Sequence, residues 1–205
     1  TRIFGPLGMH DTQFLDDPRM VVRRRASSYQ PRPGGGWRIL SIPLYSAVGP
    51  SGLYTTVGDL LKWEQNFVDA RVGGRALLDE IQTPGRLNDG TTTDYGFGLV
   101  VDAYRGPRTV GHGVAVSHYR AQVVRFPDQH LAIAALCNLS TISHQDVTRQ
   151  VADIILGSEA LAPAVSVGEV ELAALAGTYW NPFVGVWRFD MKDGNLIMGG
   201  GRYGI

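Results

Sequence analysis

A chain of 205 residues has room for one sizeable domain with a packed core, or for one domain and part of another. Lysine plus arginine balance aspartate plus glutamate, 19 against 19, so no excess charge points to nucleic acid or to an anionic membrane surface. No run of about 18 apolar residues is present, which argues against a membrane span, and the lone Cys137 excludes an internal disulfide.

The opening TRIFGPLGMHDT begins as the last turn of a helix, stopped at Gly5 and Pro6. Arg23 to Tyr29 reads as a short polar strand, and WRILSIP, after the turn-rich PRPGGG, as another. A helix is predicted over about 57–70. Thr56 caps it with Asp59 three residues on, and Leu60, Leu61, Trp63, Phe67 and Val68 form an apolar stripe that should bury Trp63. Further helical turns fall in 77–85, and a strand in 96–104.

From Arg108 to Asn138 three strands follow one another as an antiparallel meander, joined through Ser117-His118 and through Pro127 to His130. The third, LAIAALC, is apolar throughout and is predicted to lie inside a sheet covered on both faces. Cys137 at its end reads as a buried, inert thiol. In the first, Val110, His112, Val114 and Val116 share one face, and Gly111 and Gly113 leave room for another backbone or a ligand. Ser143 then caps a helix with Val147, Val151, Ile154 and Ile155 buried and Gly157 as its stop. Residues 158–172 read as a linker, and 173–205 as aromatic strands with an Asp193-Gly194 hairpin turn, too few to fold alone.

His112 has three readings on spacing alone: a satisfied core histidine, a metal ligand, or a polar group at the mouth of a substrate cleft. No second histidine or carboxylate stands at ligand spacing, so no metal site is expected, nor any cofactor. His10, His118, His130 and His144 fall in turns or at a helix start and read as surface residues. Ser51, in Gly49-Pro50-Ser51-Gly52, lacks the setting of a nucleophile elbow, although its loop could line a pocket.

Four stretches carry a resemblance: FGPLGMHDT at 4–12, VGPSGLYTTVGDLLKW at 48–63, DYGFGL at 94–99, and GHGVAVSHYRAQVVRFPDQHLAIAALCN at 111–138. In this order they resemble landmarks of the serine β-lactamase superfamily, in the branch of class C β-lactamases, D-alanyl-D-alanine carboxypeptidases, D-aminopeptidases and esterases. The likeness covers 1–157, and the tail from Gly177 resembles the start of a lipocalin-like β domain. It implies an α+β fold, an antiparallel β-sheet flanked by helices with its N-terminal part missing, followed by an incomplete β-barrel segment.

The resemblance also implies acyl transfer from an amide or ester to serine, then hydrolysis, by three motifs. These are Ser-x-x-Lys, Tyr-x-Asn and a cleft-strand motif, Lys-Thr-Gly or His-x-Gly. His112 matches the first position of the third motif and would orient substrate. Gly113 and Val114 would hold it along the strand, and Ser51 and Gly52 would shape the cleft. Relatives usually read His-Gly-Gly, with Gly where His118 stands. Val114 thus brings a branched side chain to the strand, and His118 puts a non-glycine residue in a positive-φ turn.

The only lysines are Lys62 and Lys192, preceded three residues earlier by Asp59 and Phe189, so no Ser-x-x-Lys exists here. The only Tyr-x-Asn, Tyr179-Trp180-Asn181, belongs to the tail motif. Nucleophile and base are therefore expected upstream, in a missing N-terminal half or a complementing chain, and this chain alone is expected to be inactive. Expected partners are a β-lactam, a D-amino-acid peptide or an ester, with no nucleic acid. The compartment is not readable, although the family is often periplasmic or secreted. The alternative is a non-catalytic relative binding a peptide or partner protein through the same cleft.

Overall fold

The computed structural model describes residues 2–17, 19–39, 48–160, 168–181 and 185–199. It divides into two compact units, one ending at Ala162 and the other beginning at Pro163. In chain order the first contains α1 (Phe4–Leu7), β1 (Gln13–Phe14), β2 (Tyr29–Pro31), β3 (Trp37–Ile39), β4 (Leu53–Tyr54), α2 (Val57–Asp69) and α3 (Gly74–Ile81). It continues with β5 (Val100–Ala103), β6 (Arg108–Val116), β7 (Tyr119–Phe126), β8 (Leu131–Cys137) and α4 (His144–Ala160). The second contains α5 (Glu169–Ala174), β9 (Gly177–Asn181), β10 (Gly185–Lys192) and β11 (Asn195–Gly199).

The centre of the first unit is an antiparallel sheet in the order β5-β6-β7-β8, with β1–β4 and β2–β3 as separate two-stranded ribbons. The expected meander is present. Its first turn places Ser117 and His118 at φ 46° and 65°, the left-handed pair that a two-residue hairpin needs and non-glycine residues resist.

Cross-strand partners share a face, so the register sorts the side chains. Phe126, Ile133 and Ala152 form a buried cluster, with Val124, Leu131, Val151 and Leu156 against it, so this face belongs to α4. Val110 and Arg125 are paired on the other face, where Arg125 reaches Glu64 of α2. The apolar β8 thus has a helix over each face, as expected. It is nevertheless the last strand of the sheet among the described residues, not an inner one. An apolar pattern reports covered faces, whereas a strand's edge shows only in its backbone pairing. Cys137 is half-buried, so the fully buried thiol is not found.

Four local expectations are corrected. First, α1 runs through Gly5 and Pro6 and stops at Gly8, whose φ of 68° gives the left-handed cap. A proline in a first turn forfeits no helical hydrogen bond. Second, Arg23 to Ser28 forms no strand, β2 beginning only at Tyr29. Of WRILSIP, β3 takes Trp37–Ile39 and the rest lies outside the described residues.

Third, α2 starts at the expected Thr56, whose side chain accepts from the Asp59 amide, but its buried face is largely polar. Asp59, Glu64 and Asn66 are buried beside Phe67, Trp63 is half-buried, and Leu61 and Val68 are exposed. The carboxylates and amide go inside because each finds partners there. Asn66, for instance, exchanges two hydrogen bonds with the Val72 backbone. Fourth, α4 has the Ser143 cap and breaks at Gly157, but Ile154 and Ile155 are exposed at 81% and 58%. Thr148 and Ala152 take the buried positions against the sheet.

In the second unit β9, β10 and β11 form an open three-stranded antiparallel sheet, with no closed barrel among the described residues. The Asp193-Gly194 turn has φ of 50° and 73°. The fold is thus α+β, with antiparallel sheets and flanking helices.

Candidate active site

β5 pairs with β6 only from Arg108 to Gly111, where Val100 stands opposite Gly111. From His112 onward the outer edge of β6 carries no strand among the described residues, so its amides and carbonyls there have no sheet partner on that side. His112 is the first residue of this open stretch. It is exposed on the α2 face, opposite Val123, which removes the core-histidine reading. Its Nδ1 lies 3.3 Å from the Tyr95 hydroxyl, and the two rings meet edge to face at 6.0 Å. Val114 follows on the same face and is half-buried.

The two glycines serve the other face. A Cβ on Gly111 would collide with the Val123 carbonyl and lie 2.8 Å from the Val124 Cα, so glycine there lets β7 come close. A Cβ on Gly113 would collide with Gln122 Oε1 and lie 2.9 Å from His144 Nε2. The room at Gly113 is therefore filled by side chains under the start of α4. Burial pulls the His144 imidazole below its ordinary value, Arg120 adds to this, and Asp146 opposes it. A cavity of about 110 Å³ opens beside these residues, bordered by His112, Gly113, Gln122, Thr148 and Arg149.

His112 and Gly113 are thus brought together, with Val114 next along the strand. Ser51 and Gly52 are not among the residues lining that cavity. They precede β4, both half-buried, and the Gly52 carbonyl accepts from the Leu15 amide at 2.9 Å, with Gly52 at φ 79°.

Lys62 is engaged elsewhere, its Nζ lying 2.7 Å from Asp59 Oδ1 and 2.6 Å from the Gly8 carbonyl. Asp59 also accepts from the Asp11 amide and the Thr12 hydroxyl, each at 2.8 Å. Burial works against the charge on Asp59, but Lys62, Thr12 and Asp11 outweigh it and hold the carboxyl below its usual range. The cluster ties the FGPLGMHDT stretch to α2. Among the described residues no group of three histidine, cysteine, aspartate or glutamate side chains could hold a metal ion, and no helix is long and apolar enough to cross a membrane. Nothing in the local sequence marks Tyr95 beyond its place in DYGFGL.

Comparison with known proteins bears on the family and the fold. The family model described as Beta-lactamase matches residues 1–155. A D-aminopeptidase of Cereibacter sphaeroides is 28% identical over 160 residues, covering 78% of this chain and 30% of that protein. One from Brucella ovis is 25% identical over 201 residues, covering 98% and 36%. The chain therefore spans about a third of the length of these relatives.

Among solved structures, an octameric penicillin-binding protein homologue from Pyrococcus abyssi superposes with a TM-score of 0.66 at 21% identity, over 93% of this chain and 44% of that one. The D-amino acid amidase of Ochrobactrum anthropi SV3, complexed with D-phenylalanine, gives 0.60 at 22%, over 74% and 48%. These structural likenesses establish the fold, and the family match over residues 1–155 establishes the family: the chain belongs to the β-lactamase family, within the serine β-lactamase superfamily.

Proposed function

We propose that this chain carries the substrate-orienting part of a serine amidohydrolase acting on small D-amino-acid amides or peptides. The observation that carries the reading is the open edge of β6 beginning at an exposed His112. An extended substrate adds to such an edge through main-chain hydrogen bonds, as a further strand would. His112 then binds a substrate oxygen, and the Gly113 and Val114 backbone holds the chain. The D-aminopeptidase and D-amino acid amidase relatives favour an amide of a D-amino acid over a β-lactam or an ester.

The reaction needs a serine oxygen that attacks the carbonyl carbon as its proton passes to a base. The acyl–serine bond forms, the C–N bond breaks and the amine leaves with a proton; water then hydrolyses the ester. The 205 residues hold no Ser-x-x-Lys, so on this reading the serine and its base come from polypeptide outside them. The apolar edge of β8 is a suitable place for it to join. In the second unit, β9 to β11 would be the first strands of the lipocalin-like domain.

The test is covalent labelling with a fluorophosphonate and release of amine from D-alanyl-p-nitroanilide. The 205-residue chain neither labels nor hydrolyses. A longer form carrying Ser-x-x-Lys and Tyr-x-Asn does both, and loses most of its turnover on His112→Ala. A longer form with neither motif but with peptide affinity would instead establish the non-catalytic binding relative. That reading is favoured by Val114, whose branched side chain occupies the face of β6 that carries His112.

A further inference from the structure

We propose that Tyr95 is a positioning residue for His112: its hydroxyl donates to Nδ1 and presents the neutral ring with Nε2–H toward the open edge of β6. The inference rests on the reading of His112 as the substrate-orienting group and specifies which hydrogen-bonding partner it seeks.

The geometry begins with how Tyr95 is held. Its carbonyl accepts from the Gly85 amide at 2.9 Å and from the Thr93 hydroxyl at 3.0 Å, and the residue bridges to Val100. The next two residues are fixed as well, Gly96 donating to the Leu99 carbonyl at 2.8 Å and Phe97 to the Ile81 carbonyl at 3.0 Å. A Cβ at Gly96 would lie 2.5 Å from the Ile81 carbonyl oxygen and 3.1 Å from that of Thr83. Only glycine lets the DYGFGL backbone lie so close to the end of α3. The same register leads to the site, because Tyr95 bridges Val100, Val100 pairs with Gly111, and His112 is next. Both side chains therefore rise from fixed backbone.

The pair is exposed, Tyr95 at 41%, so its hydrogen bond contributes little to stability. What it controls is the ring. Which imidazole nitrogen carries the proton is set by the bond that the other makes. A phenol is a better donor than acceptor, so Nδ1 accepts and the proton sits on Nε2. The edge-to-face contact at 6.0 Å limits rotation of the imidazole. His112 so held is a donor toward the cleft, suited to a carboxylate or carbonyl oxygen. It is not placed to take a proton from a nucleophile.

The test reads the imidazoles of the ¹⁵N-labelled 205-residue chain by long-range ¹H–¹⁵N correlation at about pH 8, where histidine is neutral. His112 is expected as the Nε2–H form alone, with cross-relaxation between its ring and that of Tyr95. In Tyr95→Phe the ring relaxes toward the tautomer mixture shown by the exposed His130, while His144 keeps its shifts and reports an intact fold. An Nδ1–H form in the parent chain, or an unchanged His112 spectrum in Tyr95→Phe, overturns the proposal. Neither result depends on substrate. A normal tautomer signature with no response of His112 to D-phenylalanine amide would instead count against the function proposed above.

Discussion

On the α4 face of the sheet, Phe126, Ile133 and Ala152 close against one another with Tyr104, Val124, Leu131, Val151 and Leu156 around them, and the buried Thr148 beside them carries no charge. On the α2 face the comparable depth is held by charge. Arg125, 7% exposed, lies 2.5 Å from Glu64 and 2.7 Å from Gln82 Oε1, with its guanidinium stacked 3.7 Å over Phe67. Burial pushes the Glu64 carboxyl up and Arg125 pulls it back; burial likewise draws Arg125 down against the pull of Glu64. The difference assigns the two faces different tasks. The α4 face is a core that tolerates exchange among apolar residues of similar volume, whereas the α2 face fixes the direction of α2 and α3 through pairs that lose their purpose when one member goes.

Breaking the charged face should therefore cost most. Arg125→Leu leaves Glu64 buried without its cation and should lower stability by about 3–5 kcal/mol in urea unfolding. A loss no larger than a surface substitution would show that the pair does not hold this face. Next comes the close approach behind the core face: Gly111→Ala forces β6 away from the Val123 carbonyl and should cost about 3 kcal/mol by the same measurement.

Asp59→Asn, at the start of α2, removes a charge-assisted acceptor and should cost about 2 kcal/mol at neutral pH. Its pH signature is separable. The folded carboxyl is held below its ordinary 3.8, so its contribution is present above that value and is lost as pH falls through the depressed one. Acid titrations of parent and variant should converge there, and parallel curves would contradict the Asp59 cluster. The smallest effect belongs to His144 under the α4 face. Its depressed ionisation favours the folded state above pH 6.5 and destabilises it as pH falls below. His144→Gln should flatten that part of the stability profile.

The same contrast explains what the sequence reveals. Apolar periodicity announces the three-strand meander. The Thr56 and Ser143 caps announce two helix starts, and Asp193-Gly194 its own turn. Each of these signals lies within a few residues of its structural partner. Arg125, Glu64 and Gln82 are separated by 61 and 43 positions, and Asp59 binds residues 47 and 48 away, so no local pattern pairs them. That is why local periodicity predicts an apolar stripe on α2, whereas the helix buries Asp59, Glu64 and Asn66 beside Phe67. Within the site, His112 stands out between its glycines, but those glycines face β7 and α4. Tyr95 reaches His112 only because DYGFGL folds back beside Val100.

The open edge of β6 at His112 is proposed to receive an extended D-amino-acid amide. Backbone ¹⁵N shift mapping of the 205-residue chain during titration with D-phenylalanine amide tests it most directly. The changes should centre on His112, Gly113 and Val114, extend to Tyr95, and vanish in His112→Ala. Changes centred elsewhere, or none at these residues at saturating amide, would contradict it.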